Sequence, residues 1–347
     1  MTERKPVVLI EHIDREDSEK SGMGVYGRSV KNLLDGVGAP YIKLGAMIPK
    51  ESSVYLRWLL FGLPKLLMRI RKLGSNVITH VAWEAYGFIT PFIRGKRIVT
   101  FHHVLSKNDF PRRTWYFLWK IFARMAIANS DIILAVSPRT RDDLINMLGV
   151  PESKIRIVLN KPSDAYYTVD GVERDRLVGF VGSLTKRKNI GLLIRSFKKV
   201  CDRDGMSDIR LKIIGQGEEG KPLRDLANSL NIGDRVDFDE YISVEDLRMF
   251  YNRMMVFANP SLREGFGAPV MEAQRCSAPV IFLKHAEIPA EVTKAAVGCE
   301  DEDEFADVMY RLLTDKEYWT EVSEKGKAYA TAFGDEYAEK MLSLYFE

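Results

Sequence analysis

The chain has 347 residues, 46% of them hydrophobic and 29% charged, which is ordinary for a soluble globular protein. This length suggests two domains, since a domain usually has about 100–200 residues. No apolar run approaches the roughly 20 residues of a membrane-spanning helix, and the N-terminus lacks the pattern of a signal peptide. Cys201, Cys276 and Cys299 are far apart, so we expect reduced thiols in a cytoplasmic protein.

The net charge of +3 hides an asymmetry along the chain. Residues 1–170 contain 26 basic and 16 acidic residues, a net charge of +10, whereas residues 171–347 contain 25 and 32, a net charge of −7. Within 57–124 there are 13 basic residues and 2 acidic ones. This pattern predicts an anionic partner for the first half only. It does not favour nucleic acid, because the aromatic residues follow no recognised nucleic-acid-binding module.

The first half alternates short apolar runs with amphipathic ones, in chain order. Strands are predicted at 6–12, 76–83, 97–104 and 131–138, and helices at 28–37 and 137–150. Gly22 and Gly24 are predicted in the loop between the first strand and the first helix, where glycine amides suit a phosphate. His102 and His103 follow the strand "RIVTF", and two adjacent side chains there cannot both face the same ligand.

A polar stretch at 158–175 interrupts this pattern, which then restarts, so we interpret it as an interdomain linker. Strands are predicted at 177–184, 209–217, 236–242, 255–261 and 278–284, helices at 188–200, 220–231, 244–253 and 268–276, and a helical tail at 303–347. Strands that alternate with helices indicate parallel sheets covered by helices on both faces. Two such domains predict a ligand cleft between them, at the carboxyl ends of the strands.

The segment "SLREGFGAPVMEAQ" carries two acids around a glycine pair. Glu264 directly follows a predicted strand, Gly265 and Gly267 allow a tight turn, and Pro269 suits the first turn of a helix. The free amides of that helix start can bind an anion, and Glu272 lies about one turn further in. Both acids can therefore contact one elongated, hydroxylated ligand that carries phosphate. The alternative is two acids that only favour the helix dipole.

Arg187 and Lys188 follow another predicted strand in "SLTKRKN". Two cations at a strand end can bind a pyrophosphate through charge-assisted hydrogen bonds. The alternative is a solvated helix start, although the helix dipole disfavours cations there.

Five segments together resemble the retaining GT-B glycosyltransferases of the GT4-type family, also called glycosyl transferases group 1. "EGFGAPVMEA" resembles the family's E-x7-E motif. The other four segments are "SGMGVYGRSV", "VTFHHV", "DIILAVSPRTRDDLINMLGVPESKIRIVLN" and "VGSLTKRKNIGLLIRSF", which occur in the family's order. The resemblance extends over nearly the whole chain.

This resemblance implies two Rossmann-like domains with a cleft between them. Residues 1–165 would form the acceptor domain and 166–331 the donor domain, and the helix at 332–347 would return to the first domain. Glu264 would contact the donor sugar near the reacting carbon, and Glu272 would bind the ribose. Backbone amides of Gly265, Phe266 and Gly267 would line the sugar.

Further site residues follow from the same resemblance. His102 would position the sugar, while His103 stands where the family usually has Asp. Ser183 stands where the family frequently has an arginine near the phosphates. One cation is therefore missing from the set, and Arg187 together with Lys188 would supply more of the phosphate binding.

The implied reaction is transfer of a hexosyl unit, with mannose favoured, from a GDP- or UDP-sugar to an acceptor hydroxyl, with retention. The acceptor would be a glycan or a lipid-linked sugar. No metal site is predicted, although acids occur within 14–22. The alternatives are a nucleotide-sugar epimerase and a non-catalytic module that binds nucleotide-sugars or glycans.

Two basic segments rich in aromatic residues, 58–74 and 110–126, have near-helical spacing. They include Trp58, Phe61, Trp115, Phe117 and Trp119 among Arg69, Arg71, Lys72, Arg112, Arg113 and Lys120. They predict either contact with an anionic membrane surface, on its inner face, or helices packed on the first domain with basic side chains reaching solvent.

Overall fold

The computed structural model describes residues 5–12, 22–46, 62–107 and 113–347. The chain divides into two compact units. Unit 1 comprises Met1–Lys161 and Gly334–Glu347, and unit 2 comprises Pro162–Phe333. Each unit contains one six-stranded sheet, in which all the neighbouring strands run parallel.

Unit 1 alternates strands and helices along the chain. Its elements are β1 (Val7–His12), α1 (Gly22–Gly36), β2 (Tyr41–Ala46), α2 (Leu63–Lys72), β3 (Ile78–Val81), a 3₁₀ segment (Glu84–Phe92), β4 (Lys96–Phe101), α3 (Arg113–Asn129), β5 (Ile132–Ala135), α4 (Pro138–Leu148) and β6 (Ile155–Ile157). The strand order is β2-β1-β3-β4-β5-β6. Its central strands are buried on both sides, as expected for a parallel sheet covered by helices.

Local sequence explains where α4 begins and ends. The Ser137 hydroxyl accepts a hydrogen bond from the Thr140 amide, and Pro138 occupies the first turn. The helix ends at Gly149, whose φ of +69° favours glycine.

The start of α1 differs from the prediction. This helix begins at Gly22, so Gly22 and Gly24 lie in its first turn and not in a preceding loop. Propensity alone disfavours glycine in a helix, which explains why the sequence suggested a later start. Amides of a first turn have no partner within the helix, so this position remains compatible with the predicted anion contact.

The 3₁₀ segment packs closely against α3. A Cβ on Gly87 would lie 2.2 Å from the Phe122 carbonyl oxygen and 2.7 Å from the Ala126 Cβ, so only glycine permits this approach. The inner face of α3 buries Trp119, Ala123 and Ala126. Of the two alternatives for the segment 110–126, packing on the first domain holds for Trp119, because its indole lies in the core of unit 1.

Residues 334–347 complete unit 1 from the far end of the described chain. They contain α12 (Glu336–Phe346). The Tyr345 hydroxyl lies 2.5 Å from Nδ1 of His80, a fully buried residue of β3. Nε2 of His80 lies 2.7 Å from the Thr100 hydroxyl, which is 2.9 Å from that of Tyr26 on α1. This buried chain of hydrogen bonds ties α12 and α1 to the sheet.

Unit 2 has the same alternation. Its elements are β7 (Asp175–Val181), α5 (Ile190–Cys201), β8 (Arg210–Ile214), α6 (Gly220–Ser229), β9 (Val236–Asp239), α7 (Val244–Arg253), β10 (Met254–Asn259), α8 (Ala268–Arg275), β11 (Val280–Leu283), α9 (Ala290–Thr293), β12 (Val297–Cys299), α10 (Glu302–Thr314) and α11 (Lys316–Ala332). The strand order is β12-β11-β10-β7-β8-β9. Counted within the unit, this is the 3-2-1-4-5-6 order of the Rossmann fold.

The predicted fold class is confirmed, since both halves form doubly wound parallel sheets. The acceptor and donor roles of the two domains stay predictions. Within the described residues, no helix is both long enough and apolar enough to span a bilayer.

Candidate functional site

The order of strands in unit 2 reverses between β7 and β10, which are neighbours in the sheet. In open α/β sheets, ligands bind beside the carboxyl ends of the strands at such a switch point. The chain after β7 carries Arg187 and Lys188, and the chain after β10 carries Glu264. The topology therefore places these three of the predicted site residues at one edge of one sheet.

These three side chains form a buried ion cluster. Lys188 Nζ lies 2.5 Å from Glu264 Oε1, and Arg187 Nη1 lies 3.2 Å from Glu264 Oε2. Lys188 and Glu264 are both buried, whereas Arg187 remains partly exposed. Burial opposes ionisation of Glu264, but Lys188 and Arg187 outweigh it and hold its pKa below the ordinary value. The carboxylate is thus charged and shared between two cations.

Backbone contacts fix the two loops that carry the cluster. Arg187 and Lys188 belong to a short 3₁₀ turn, Lys186–Lys188, that precedes α5. The Leu262 amide donates to the Arg187 carbonyl at 2.9 Å, and the Arg187 guanidinium donates to the Arg263 carbonyl. The loop after β7, which carries the cations, is therefore bonded directly to the loop after β10, which carries Glu264.

The turn after Glu264 leads into α8. Gly267 precedes the helix with a φ of +94°, a left-handed conformation that side chains rarely adopt. The chain also bends at Gly265, where φ is not positive, so Gly267 is the position of this turn that requires glycine. Phe266 is buried, with its ring centroid 6.0 Å from that of Phe333, so its backbone and not its ring is available to a ligand. Pro269 lies in the first turn of α8, as predicted.

Glu272 occupies a different environment on α8. Its Oε2 accepts a hydrogen bond from the Tyr251 hydroxyl at 2.9 Å, and both residues are buried. Burial raises the pKa of Glu272 to about 7, and the bond from Tyr251 only partly opposes this. Nothing in the sequence signalled Tyr251, which lies 21 residues away on α7.

Ser183 and the remaining glycines are placed differently. Ser183 is exposed after β7, three residues before the turn that holds the cations. Gly22 and Gly24 belong to unit 1, as do the two histidines.

His102 follows β4 and is held by the backbone of the neighbouring strand connection. Its Nε2 lies 2.9 Å from the Ala82 carbonyl oxygen, and the ring meets Tyr26 edge-on at 4.8 Å. Burial lowers the pKa of His102 to about 4, so the ring is neutral near pH 7. A carbonyl only accepts, so the proton is on Nε2 and Nδ1 is left as an acceptor. His103 is partly buried and has its own contacts.

Sequence inspection missed Glu84, an acid at the start of the 3₁₀ segment. It is fully buried, and burial raises its pKa to about 7 despite nearby indole N–H groups of Trp83 and Trp119. A single acid inside an apolar segment gave no recognisable motif.

Among the residues that the structure describes, no group of three or more His, Cys, Asp or Glu side chains is arranged to hold a metal ion. The acids at 14–20 lie outside the described residues. A metal-free site therefore stays a prediction.

Comparison with known families adds an independent observation. The family model described as "Glycosyl transferases group 1" matches residues 170–329, and that of "Glycosyltransferase Family 4" matches residues 28–160. Each model falls on one of the two units. The chain belongs to the group 1 glycosyltransferases. The predicted family is thereby confirmed.

Individual relatives of this glycosyltransferase chain are distant. The O-antigen chain mannosyltransferase RfbU of Salmonella typhimurium is 24% identical over 307 residues, which cover 82% of this chain and 85% of RfbU. The chain spans only 59% of the length of the first two curated relatives that it matches.

Solved structures share the GT-B fold at low identity. Sucrose-phosphate synthase from Thermosynechococcus elongatus has a TM-score of 0.75 at 19% identity, covering 99% of this chain and 98% of that one. HepE of Anabaena, in complex with UDP and glucose, has a TM-score of 0.71 at 15% identity, covering 98% of this chain and 100% of its own.

The raised pKa of Glu272 predicts a pH-dependent stability difference. The folded state holds this proton more tightly than the unfolded state, whose pKa is near 4.5. The stabilising contribution of the Glu272 proton is therefore fully present below pH 4.5 and is lost as the pH rises to about 7. Relative to Glu272→Gln, the wild type should lose up to about 3 kcal/mol of unfolding free energy between these values. Urea unfolding of both proteins at pH 5 and 8 measures the change.

The matched control is Glu324→Gln, at an exposed acid of α11. Its unfolding free energy should follow that of the wild type at both pH values. A Glu272→Gln difference that is the same at pH 5 and 8 would contradict the assigned protonation.

Proposed function

We propose that the protein transfers a hexosyl unit from a nucleotide-sugar to an acceptor hydroxyl, with retention of anomeric configuration. The observation that carries the proposal is the Glu264–Lys188–Arg187 cluster at the switch point of the unit 2 sheet. It combines cations for a diphosphate with a carboxylate for sugar hydroxyls in one place. Family membership supports this assignment.

The donor is a nucleoside diphosphate sugar bound mainly by unit 2. Arg187 and Lys188 interact with the diphosphate, whose negative charge grows as the bond to the anomeric carbon breaks. The relative HepE has been solved with UDP and with UDP-glucose, which supports this class of donor. Similarity to the mannosyltransferase RfbU favours a mannosyl unit as the group that is transferred, on either GDP or UDP.

Glu264 and Glu272 take different parts in this scheme. Glu264 is ionised and accepts hydrogen bonds from the sugar hydroxyls, close to the cations that hold the diphosphate. Glu272 contacts the ribose, and the amides of Gly265, Phe266 and Gly267 line the sugar. Neutral His102 offers Nδ1 as an acceptor for a further sugar hydroxyl, so it positions the sugar and does not supply a proton.

Removal of Lys188 should weaken binding of the nucleotide. Lys188→Ala deletes a charged donor, so its affinity for UDP or GDP should fall by about 1.5–3 kcal/mol. Isothermal titration with both nucleotides measures this, after thermal melting has shown that the variant is folded. Lys186→Ala is the control, since Lys186 is exposed in the same turn. Unchanged affinity for both nucleotides in Lys188→Ala would move the donor site elsewhere.

Substitution of Glu264 should separate binding from catalysis. Glu264→Gln keeps the shape of the side chain but frees both cations, so UDP or GDP should bind at least as tightly as to the wild type. Transfer should fall roughly 10²–10³-fold, because hydrogen bonds that strengthen in the transition state are weakened. The measurements are titration with plain nucleotide and steady-state product formation. A variant that loses nucleotide affinity while keeping its rate would reverse the roles of the two acids.

Activity should not require a metal, because cationic side chains at Arg187 and Lys188 supply the charge on the leaving side. We expect the transfer rate to survive dialysis against EDTA. The rate is compared before and after chelation, with and without added Mg²⁺ or Mn²⁺. Loss that either ion restores would contradict this proposal and direct attention to the acids at 14–22.

A further inference from the structure

The outer face of α3 differs from the surface of an ordinary packed helix. Its inner face is fixed by Trp119, Ala123 and Ala126 and by the close approach of Gly87. The opposite face is consequently turned away from the core of unit 1.

Large apolar side chains are exposed along α3: Phe117 and Ile121 on this outer face, with Leu118 at its edge. Trp115 is exposed in the first turn of the helix, although it lies four residues before the buried Trp119 and so on the inner side. Phe117 is 65% exposed, Trp115 54%, Leu118 43% and Ile121 38%. Single exposed apolar residues are normal, but four within seven positions of one helix form a patch. We call Trp115, Phe117, Leu118 and Ile121 the apolar patch.

Basic side chains border one side of the apolar patch. Arg113 and Arg124 lie four residues before Phe117 and three after Ile121, which puts them on the same side of the helix. Lys120 lies beside them, and α3 contains no acid. The patch is therefore apolar and is flanked by positive charge along one edge.

A second basic helix is nearby in unit 1. Both α2 and α3 pack against the 3₁₀ segment Glu84–Phe92. Helix α2 has Lys65, Arg69, Arg71 and Lys72 and no acid, and its Met68 is 59% exposed. Trp58, Phe61 and Arg112, also predicted for this surface, lie outside the described residues.

We propose that the apolar patch docks into the headgroup region of an anionic lipid bilayer, with α3 parallel to the membrane plane. Aromatic and aliphatic side chains on one face, flanked by Lys and Arg, are typical of helices that lie in the interface. The absence of acids from α2 and α3 fits an extended negative surface. Membrane docking does not depend on the proposed transferase function. A lipid-linked acceptor, which docking would favour, does rest on that function.

The test is cosedimentation of the full chain with lipid vesicles, without donor or acceptor. Vesicles of phosphatidylcholine alone are compared with vesicles that contain phosphatidylglycerol, at low and high salt. The wild type should pellet with the anionic vesicles at low salt, and less at high salt because ions screen the basic margin. Negligible pelleting in every condition overturns the proposal.

Variants locate the contact on α3. Phe117→Ser/Ile121→Ser should lower the partition coefficient for anionic vesicles at least about tenfold, because two apolar side chains no longer leave water. Arg113→Gln/Lys120→Gln/Arg124→Gln should lower it and remove its salt dependence. All the changed residues are exposed except Lys120, which is partly buried, and both variants should melt like the wild type. The control is Met147→Ser on α4, an exposed apolar residue of the same unit that should leave binding unchanged.

A tryptophan signal gives a second readout. Trp115 is exposed, so its emission should shift to shorter wavelength on anionic vesicles, and Trp115→Phe should lose this shift. Equal vesicle binding by the wild type and Phe117→Ser/Ile121→Ser overturns the proposal. Light scattering without lipid gives a second such outcome. A wild-type dimer that Phe117→Ser/Ile121→Ser abolishes also overturns the proposal, since the patch would then be a protein interface. Because no turnover is measured, these outcomes are independent of the proposed transferase function.

Discussion

The shared carboxylate of Glu264 is the interaction on which the site depends. It joins the loop after β7 to the loop after β10. A backbone bond from Leu262 to Arg187 and a bond from the Arg187 guanidinium to the Arg263 carbonyl reinforce the connection. Removing one member of a buried ion pair typically destabilises a protein by about 3–5 kcal/mol, because the other charge is left without a partner. The cluster therefore holds both loops in register before any ligand arrives, and a diphosphate would meet cations that are already positioned.

The pKa values of Glu264 and Glu272, two acids only eight positions apart, are shifted in opposite directions. Cations lower the pKa of Glu264, whereas burial beside a neutral phenol raises that of Glu272 to about 7. Pairs of acids whose surroundings separate their pKa values commonly have different roles. In the proposed site, Glu264 stays charged beside the cations that hold the phosphates. Glu272, with its raised pKa, can either donate a hydrogen bond to a hydroxyl or accept one from it.

Much of this arrangement could be predicted from local patterns. Apolar runs and turn residues gave the strands on either side of the switch point, and the helix at 244–253 matches α7 exactly in its bounds. β2 was missed because "YIKLGA" is a partly exposed edge strand with weak alternation. The 3₁₀ segment was missed because it lacks helical periodicity and depends on the contact of Gly87 with α3. The pairing of Lys188 with Glu264, 76 residues apart, needs the three-dimensional fold.

The return of residues 334–347 to unit 1 has a consequence for biosynthesis. His80 emerges from the ribosome before all of unit 2, and its partner Tyr345 emerges after it. The polar chain from Tyr26 through Thr100 and His80 therefore lacks the Tyr345 hydroxyl while unit 2 is being made. Domains generally fold as units in the order of their synthesis. In this chain unit 1 is the first unit to be synthesised, but it is completed last, when α12 packs onto it.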